Sequence, residues 1–123
     1  MKSIGTTAFV IGLIFAAGCE QSKPIPETFQ ARLDAADAMA NDVQKEQAYK
    51  KIAEDAAEAG EAEVAHRALK KITNDITREA LAEAFALKFA KRGDLKAARS
   101  FADLMTNDIK KQEVLRKIAN GGQ

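Results

Sequence analysis

The chain has one cysteine, one histidine, one tyrosine, no tryptophan and two prolines in 123 residues. Each scarcity excludes something. A single thiol forms no internal disulfide, so no disulfide framework holds the fold. A single imidazole builds no multi-histidine metal site, and with no cysteine beyond Cys19 it has no thiol to activate in a folded part. No glycine-rich phosphate loop appears. Both prolines, Pro24 and Pro26, lie within three residues of each other, so proline interrupts nothing downstream. An excess of one charge is also missing: 19 basic against 18 acidic residues gives no bulk signal for nucleic acid. The sequence points to no enzyme, cofactor or resident metal.

What is present favours helices. Hydrophobic residues make up 46% and charged residues 30%, with alanine, glutamate, lysine and leucine prominent. That composition suits an all-α fold and not an all-β one. The near-zero net charge hides an asymmetry. Glu20 to Glu63 holds 5 basic and 11 acidic residues, a net of −6, and Val64 to Gln123 holds 13 basic and 7 acidic, a net of +6. Solvated helix faces account for this, and so does a basic half that meets an anionic surface.

The first 18 residues read as an address. Lys2 is followed by the uncharged, mostly apolar run Ile4 to Phe15 and the small residues Ala16, Ala17 and Gly18. The 15 uncharged residues from Ile4 to Gly18 span about 22 Å as helix, short of a bilayer core of about 30 Å. Cys19 follows at once. The stretch "AAGC", Ala16 to Cys19, resembles the lipobox of bacterial lipoproteins, with Ala16 in the position usually held by leucine. The resemblance implies cleavage between Gly18 and Cys19 and lipidation of the Cys19 thiol. Two acyl chains or more then hold a protein stably to a membrane. Glu20 in the sorting position implies the periplasmic face of the outer membrane in a Gram-negative host, and the outer face of the only membrane otherwise. Plain secretion with an incidental cysteine, or an uncleaved anchor, are the other two ways to take the segment. Residues 19–27, with Lys23-Pro24 and Ile25-Pro26, read as an extended tether.

The rest of the chain repeats. "TNDI" stands at Thr73–Ile76 and again at Thr106–Ile109, and "ANDV" stands at Ala40–Val43, each 33 residues from the next. Aligned at that period, Glu46/Glu79, Ala53/Ala86, Ala57/Ala90, Gly60/Gly93 and Ala65/Ala98 are also identical. A fixed period near 33 marks an array of similar two-helix units. Gly60 and Gly93 each end a long helix. The expected helices are Phe29–Ala40, Val43–Ala59, Glu61–Ile72, Ile76–Arg92, Leu95–Met105 and Ile109–Asn120. Residues 28–120 thus form the domain and residues 121–123 a tail.

A glycine between the two helices and a small alanine early in the second, Gly60 with Ala65 and Gly93 with Ala98, resemble the tetratricopeptide superfamily. The resemblance implies a short right-handed α-α superhelical repeat that binds proteins or peptides on a concave face. The apolar faces Ile76/Ala80/Ala84/Leu87 and Leu81/Phe85/Phe89 predict that the fourth helix is buried on two sides. Each Asn-Asp pair falls at a helix start and should cap it, with Val43, Ile76 and Ile109 packed at the joints. Cys19 is the lipidation site and Gly18–Cys19 the cleavage site; none of the remaining residues is assigned to catalysis, a cofactor or a metal. "RGD" at Arg92–Asp94 reads as a turn and His66 as a polar helix position. Tyr49 reads as a core-edge residue or a ligand contact, and the lysines of "KKI" at Lys50–Ile52 and Lys70–Ile72 as solvated. Ile109, Val114, Leu115 and Ile118 offer a face for self-association, because no helix follows theirs.

The expected partners are therefore a membrane, through the lipid, and a protein or peptide, with no nucleic acid. An envelope scaffold and an immunity or inhibitor protein against one toxin or lytic enzyme both fit.

Overall fold

The structure, a computed structural model, describes residues 25–121. Within them the chain forms six helices and no strand: α1 (Glu27–Asp37), α2 (Asp42–Glu58), α3 (Ala62–Lys71), α4 (Asp75–Lys91), α5 (Leu95–Ala102) and α6 (Asp108–Ala119). The fold is all-α and repeat-like, as the periodicity predicts. The most extensive packing is within the pairs α2/α3 and α4/α5; α1 packs on α2, and α6 packs on both α4 and α5.

The punctuation is chemical. Gly60 and Gly93 have φ of 79° and 87°, the left-handed region that side chains other than glycine rarely enter. Around Gly60, the Glu61 amide donates to Ala56 O and the Gly60 amide to Ala57 O; around Gly93, Asp94 donates to Phe89 O and Gly93 to Ala90 O. These paired bonds satisfy carbonyls that a helix end leaves open. The long helices begin on asparagine. The side chains of Asn41, Asn74 and Asn107 accept from the amides of Gln44, Thr77 and Lys110, at 3.0, 2.9 and 3.0 Å.

Helix starts and ends differ from expectation by small steps. Each long helix starts one residue early, because asparagine alone is the cap and Asp42, Asp75 and Asp108 are already the first helical residues. Those aspartates complement the positive end of the helix dipole. Asn74→Ala should therefore cost about 1 kcal/mol of unfolding free energy. Asp75→Ala should cost a few tenths of a kcal/mol, since its partner Arg78 also has another bond to keep it in place. Urea titration of the two variants checks the order. At the other margin, α1 starts at Glu27 on Pro26, and Ile25 packs against the core. The last residues assigned to the tether thus belong to the folded part. α5 stops at Ala102 and gives way to a turn over 103–104.

Alanine is the commonest residue of the core and lets helix backbones approach closely. α2 buries Ala53, Ala56 and Ala57 beside Ile52; α3 buries Val64, Ala65, Ala68 and Leu69; α4 buries Ala82, Phe85, Ala86, Phe89 and Ala90. Phe101 of α5 is the hub of the second pair. Its ring lies 5.5 Å from Phe85 edge-on, 5.4 Å from Phe89 stacked and 5.7 Å from His66. No polar or charged residue is buried among the described residues.

Two apolar expectations are corrected. Ile76, Ala80 and Ala84 are exposed and Leu87 is half-buried, so the second face of α4 is open. The buried positions 82, 85, 86, 89 and 90 form one broad helical stripe. Alanine is small enough to occupy either side and does not mark which one is inside. In α6, Val114 and Ile118 are buried within the chain and Ile109 is exposed, so the face proposed for self-association is largely used up internally.

Candidate interaction surface

The joints between units are fastened from the preceding long helix. Glu46 of α2 accepts from both the amide and the hydroxyl of Thr73, the amide at 2.7 Å. Glu79 of α4 does the same for Thr106, and takes the amide of Asn107 at 3.1 Å as well. Arg78 adds a bond to the carbonyl of Ile72 at 2.8 Å. Burial by itself would push the carboxyls of Glu46 and Glu79 up. The hydrogen bonds from Thr73 and Asn74, and from Thr106 and Asn107, outweigh it and hold both below the ordinary glutamate range. Each of these two joints is thus a threonine seized by a glutamate 27 residues earlier, followed by an asparagine that starts the next helix.

The residue after each Asn-Asp pair is placed alike in all three units. Val43, Ile76 and Ile109 are the second residues of α2, α4 and α6 and were expected to pack at the joints. They are instead 66%, 82% and 84% exposed. The outcome is a β-branched apolar side chain shown to solvent at the same place in every unit.

Grooves adjoin two of them. Val43 borders a groove of about 340 Å³ with Glu46, Gln47, Lys50, Asn74 and Thr77. Ile76 borders one of about 370 Å³ with Glu79, Ala80, Glu83, Asn107 and Lys110. Shifted by 33, each of those residues in the first groove falls on one in the second. The surface therefore repeats, with an apolar side chain, a clamp glutamate and the next asparagine cap constant. Between the two, Gln47 becomes Ala80, Lys50 becomes Glu83 and Thr77 becomes Lys110. Such a surface offers apolar contact with a variable polar rim, which suits protein recognition.

The other residues singled out have structural work. Tyr49 is 5% exposed, donates its hydroxyl to Asp37, and has the Lys71 ammonium 5.8 Å from its ring centre. Burial and the Asp37 carboxylate push its pKa up to about 12. It is a core-edge residue that ties α1 and α3 to α2. In "RGD", Arg92 donates to Ala57 O at 2.9 Å and Glu58 O at 3.3 Å, capping the end of α2. Gly93 makes the turn, and Asp94 caps α5 through the Ala97 amide at 3.0 Å. The lysines divide: Lys51 pairs with Asp55 at 3.1 Å and Lys71 with Asp37 at 3.3 Å, with Lys50 and Lys70 exposed. His66 lies half-buried against Phe101, in a recess of about 350 Å³ between α3 and α5. Burial first, then the Lys70 charge, draws its pKa down.

Gly18 and Cys19 lie outside the described residues. Among the described residues no helix is long and apolar enough to cross a membrane, and no three His, Cys, Asp or Glu side chains are placed to hold a metal ion. No known protein family, curated protein or solved structure matches the chain.

The clamp was missed by the sequence reading, although its signal was there. Glu46/Glu79 and Thr73/Thr106 are each identical across the repeat, and two polar identities at one fixed offset are a contact hypothesis. The ends of the array carry the same signal in reverse. Among the described residues, the joint that no long helix precedes has Ala40 in the threonine position, and the long helix that no joint follows has Gln112 in the glutamate position.

Proposed function

We propose that this chain is a membrane-anchored bacterial lipoprotein that presents a small tetratricopeptide-like helical module for protein–protein interaction or scaffolding in the cell envelope. The observation that carries the binding half is the row Val43, Ile76 and Ile109, exposed at equivalent places along the array, two of them beside matching grooves. An exposed apolar side chain beside a groove with a polar rim is the arrangement that protein interfaces use. The anchoring half rests on Ala16–Cys19 and the apolar run before it. The tetratricopeptide-like reading rests on Gly60 and Gly93 between paired helices, with Ala65 and Ala98 buried early in the second helix of each pair.

The anchor is tested by Cys19→Ser expressed in a bacterial host. The wild type should partition with the membrane fraction, carry acyl mass on Cys19 and, in a Gram-negative host, float with the outer membrane. The variant should be released to the soluble fraction. A variant that stays membrane-bound removes the lipid anchor from the account.

A further inference from the structure

The place where the chain enters the domain bears on which end faces a membrane that holds Cys19. Ile25 sits in a recess with Gly60 to Val64, and it is partly buried against the core. The helices run alternately. Arg32 of α1 pairs with Asp55 late in α2 at 2.8 Å, and Asp37 at the end of α1 accepts from Tyr49, earlier in α2. α1 and α2 are therefore antiparallel, and the chain enters the domain at the end that carries the Gly60 turn. The exposed row lies at the other end, one residue into α2, α4 and α6.

Two lengths decide the rest. Five residues, Glu20 to Pro24, separate Cys19 from Ile25. Fully extended, the six steps reach at most about 22 Å. α2 has 17 residues, a length of about 25 Å at 1.5 Å per residue. Standing the domain on its Val43/Ile76/Ile109 end would lift Ile25 about 25 Å from the headgroups, beyond the reach of an anchor that lies at headgroup level.

Resting on the lipoprotein reading above, we infer that the domain keeps its glycine-turn end toward the bilayer and presents Val43, Ile76 and Ile109 to the aqueous phase, for a protein partner and not for the membrane. Without the tether these exposed side chains are as suited to dip into an interface as to meet a protein. The short tether removes the upright form of the first use, in which the row end alone meets the bilayer. Electrostatics is not needed for the pose. The glycine-turn end carries Glu58, Glu61, Glu63 and Asp94 against Lys88, Lys91, Arg92 and Lys96, so it is nearly neutral.

The chain has no tryptophan, so a single introduced one reports its own surroundings. Full-length Lys91→Trp (glycine-turn end) and Lys110→Trp (row end) are purified from membranes, weighed intact and reconstituted in vesicles whose headgroups carry a nitroxide quencher. Circular dichroism confirms that both remain helical. Quenching of Lys91→Trp with none of Lys110→Trp is the expected result. Equal or stronger quenching of Lys110→Trp in protein that bears acyl mass overturns the orientation and leaves the anchor standing. Absence of acyl mass overturns the lipoprotein reading, and the orientation falls with it.

Discussion

Phe101→Ala lowers the unfolding free energy by about 3–5 kcal/mol. Phe101 is 0% exposed, and its ring is the common neighbour of Phe85, Phe89 and His66. It also supplies the largest buried side chain of α5, a helix of only eight residues whose other buried positions are Ala98 and Ala102. Alanine neighbours cannot swing in to fill the space, so the lost contacts are compounded by a cavity. A domain of this size has about 5–15 kcal/mol in total, so the variant loses roughly a fifth or more of its stability. Chemical denaturation at neutral pH measures it. A change below about 1 kcal/mol would mean that α5 is not held through this ring.

Glu46→Ala with Glu79→Ala produces the second-largest loss. Each carboxylate satisfies a threonine amide and hydroxyl, and Glu79 an asparagine amide as well. A hydrogen bond to a charged group contributes about 1.5–3 kcal/mol. Water reaches the exposed threonines, so about 2 kcal/mol per clamp is the expected net. The two clamps lie one repeat apart and share only the Arg78 charge, so the losses should nearly add, to about 4 kcal/mol or a little less in the double variant. The pH dependence has a definite sign. Both carboxyls sit below their ordinary value of 4.5 in the folded chain. Their contribution is complete above that value and disappears as pH falls through the lower folded value. Wild-type stability should drop steeply in that acid window, and the double variant should drop less. The slope does not vanish, because Asp37, Asp55 and Glu58 are also held low, by Tyr49, Lys51 and Lys88 in turn. A variant as acid-sensitive as the wild type would show that the clamps do not carry the linkage.

The joints explain how much of this fold was legible beforehand. Gly60, Gly93, Asn41, Asn74 and Asn107 announce their roles because each residue type solves a backbone problem at a helix end, and those problems are local. Helix number and order follow from them. The choice of cap within each Asn-Asp pair was less legible, because both side chains accept hydrogen bonds and only the geometry selects asparagine. The burial of α4 was not legible in full. Ala80 and Ala82 look alike in sequence, and the neighbour that covers one and leaves the other bare is distant along the chain. Ile76 and Ile109 were misplaced for a related reason: their apolar character is real, but what covers them lies outside the domain or nowhere in it. The candidate interaction surface is the row of these exposed positions. A core position would be buried in at least one unit, whereas Val43, Ile76 and Ile109 are exposed in all three.

Binding through this row is most directly tested by capture from envelope extracts. Wild-type protein, a Val43→Ser/Ile76→Ser/Ile109→Ser variant and an Arg67→Ser/Arg99→Ser control on exposed positions of the short helices are immobilised at equal density and confirmed as equally helical. Bound proteins are compared by quantitative mass spectrometry. The account predicts at least one envelope protein retained by the wild type and by the control but lost from the row variant. Retention of the same proteins by all three would contradict it, and so would loss from the control alone.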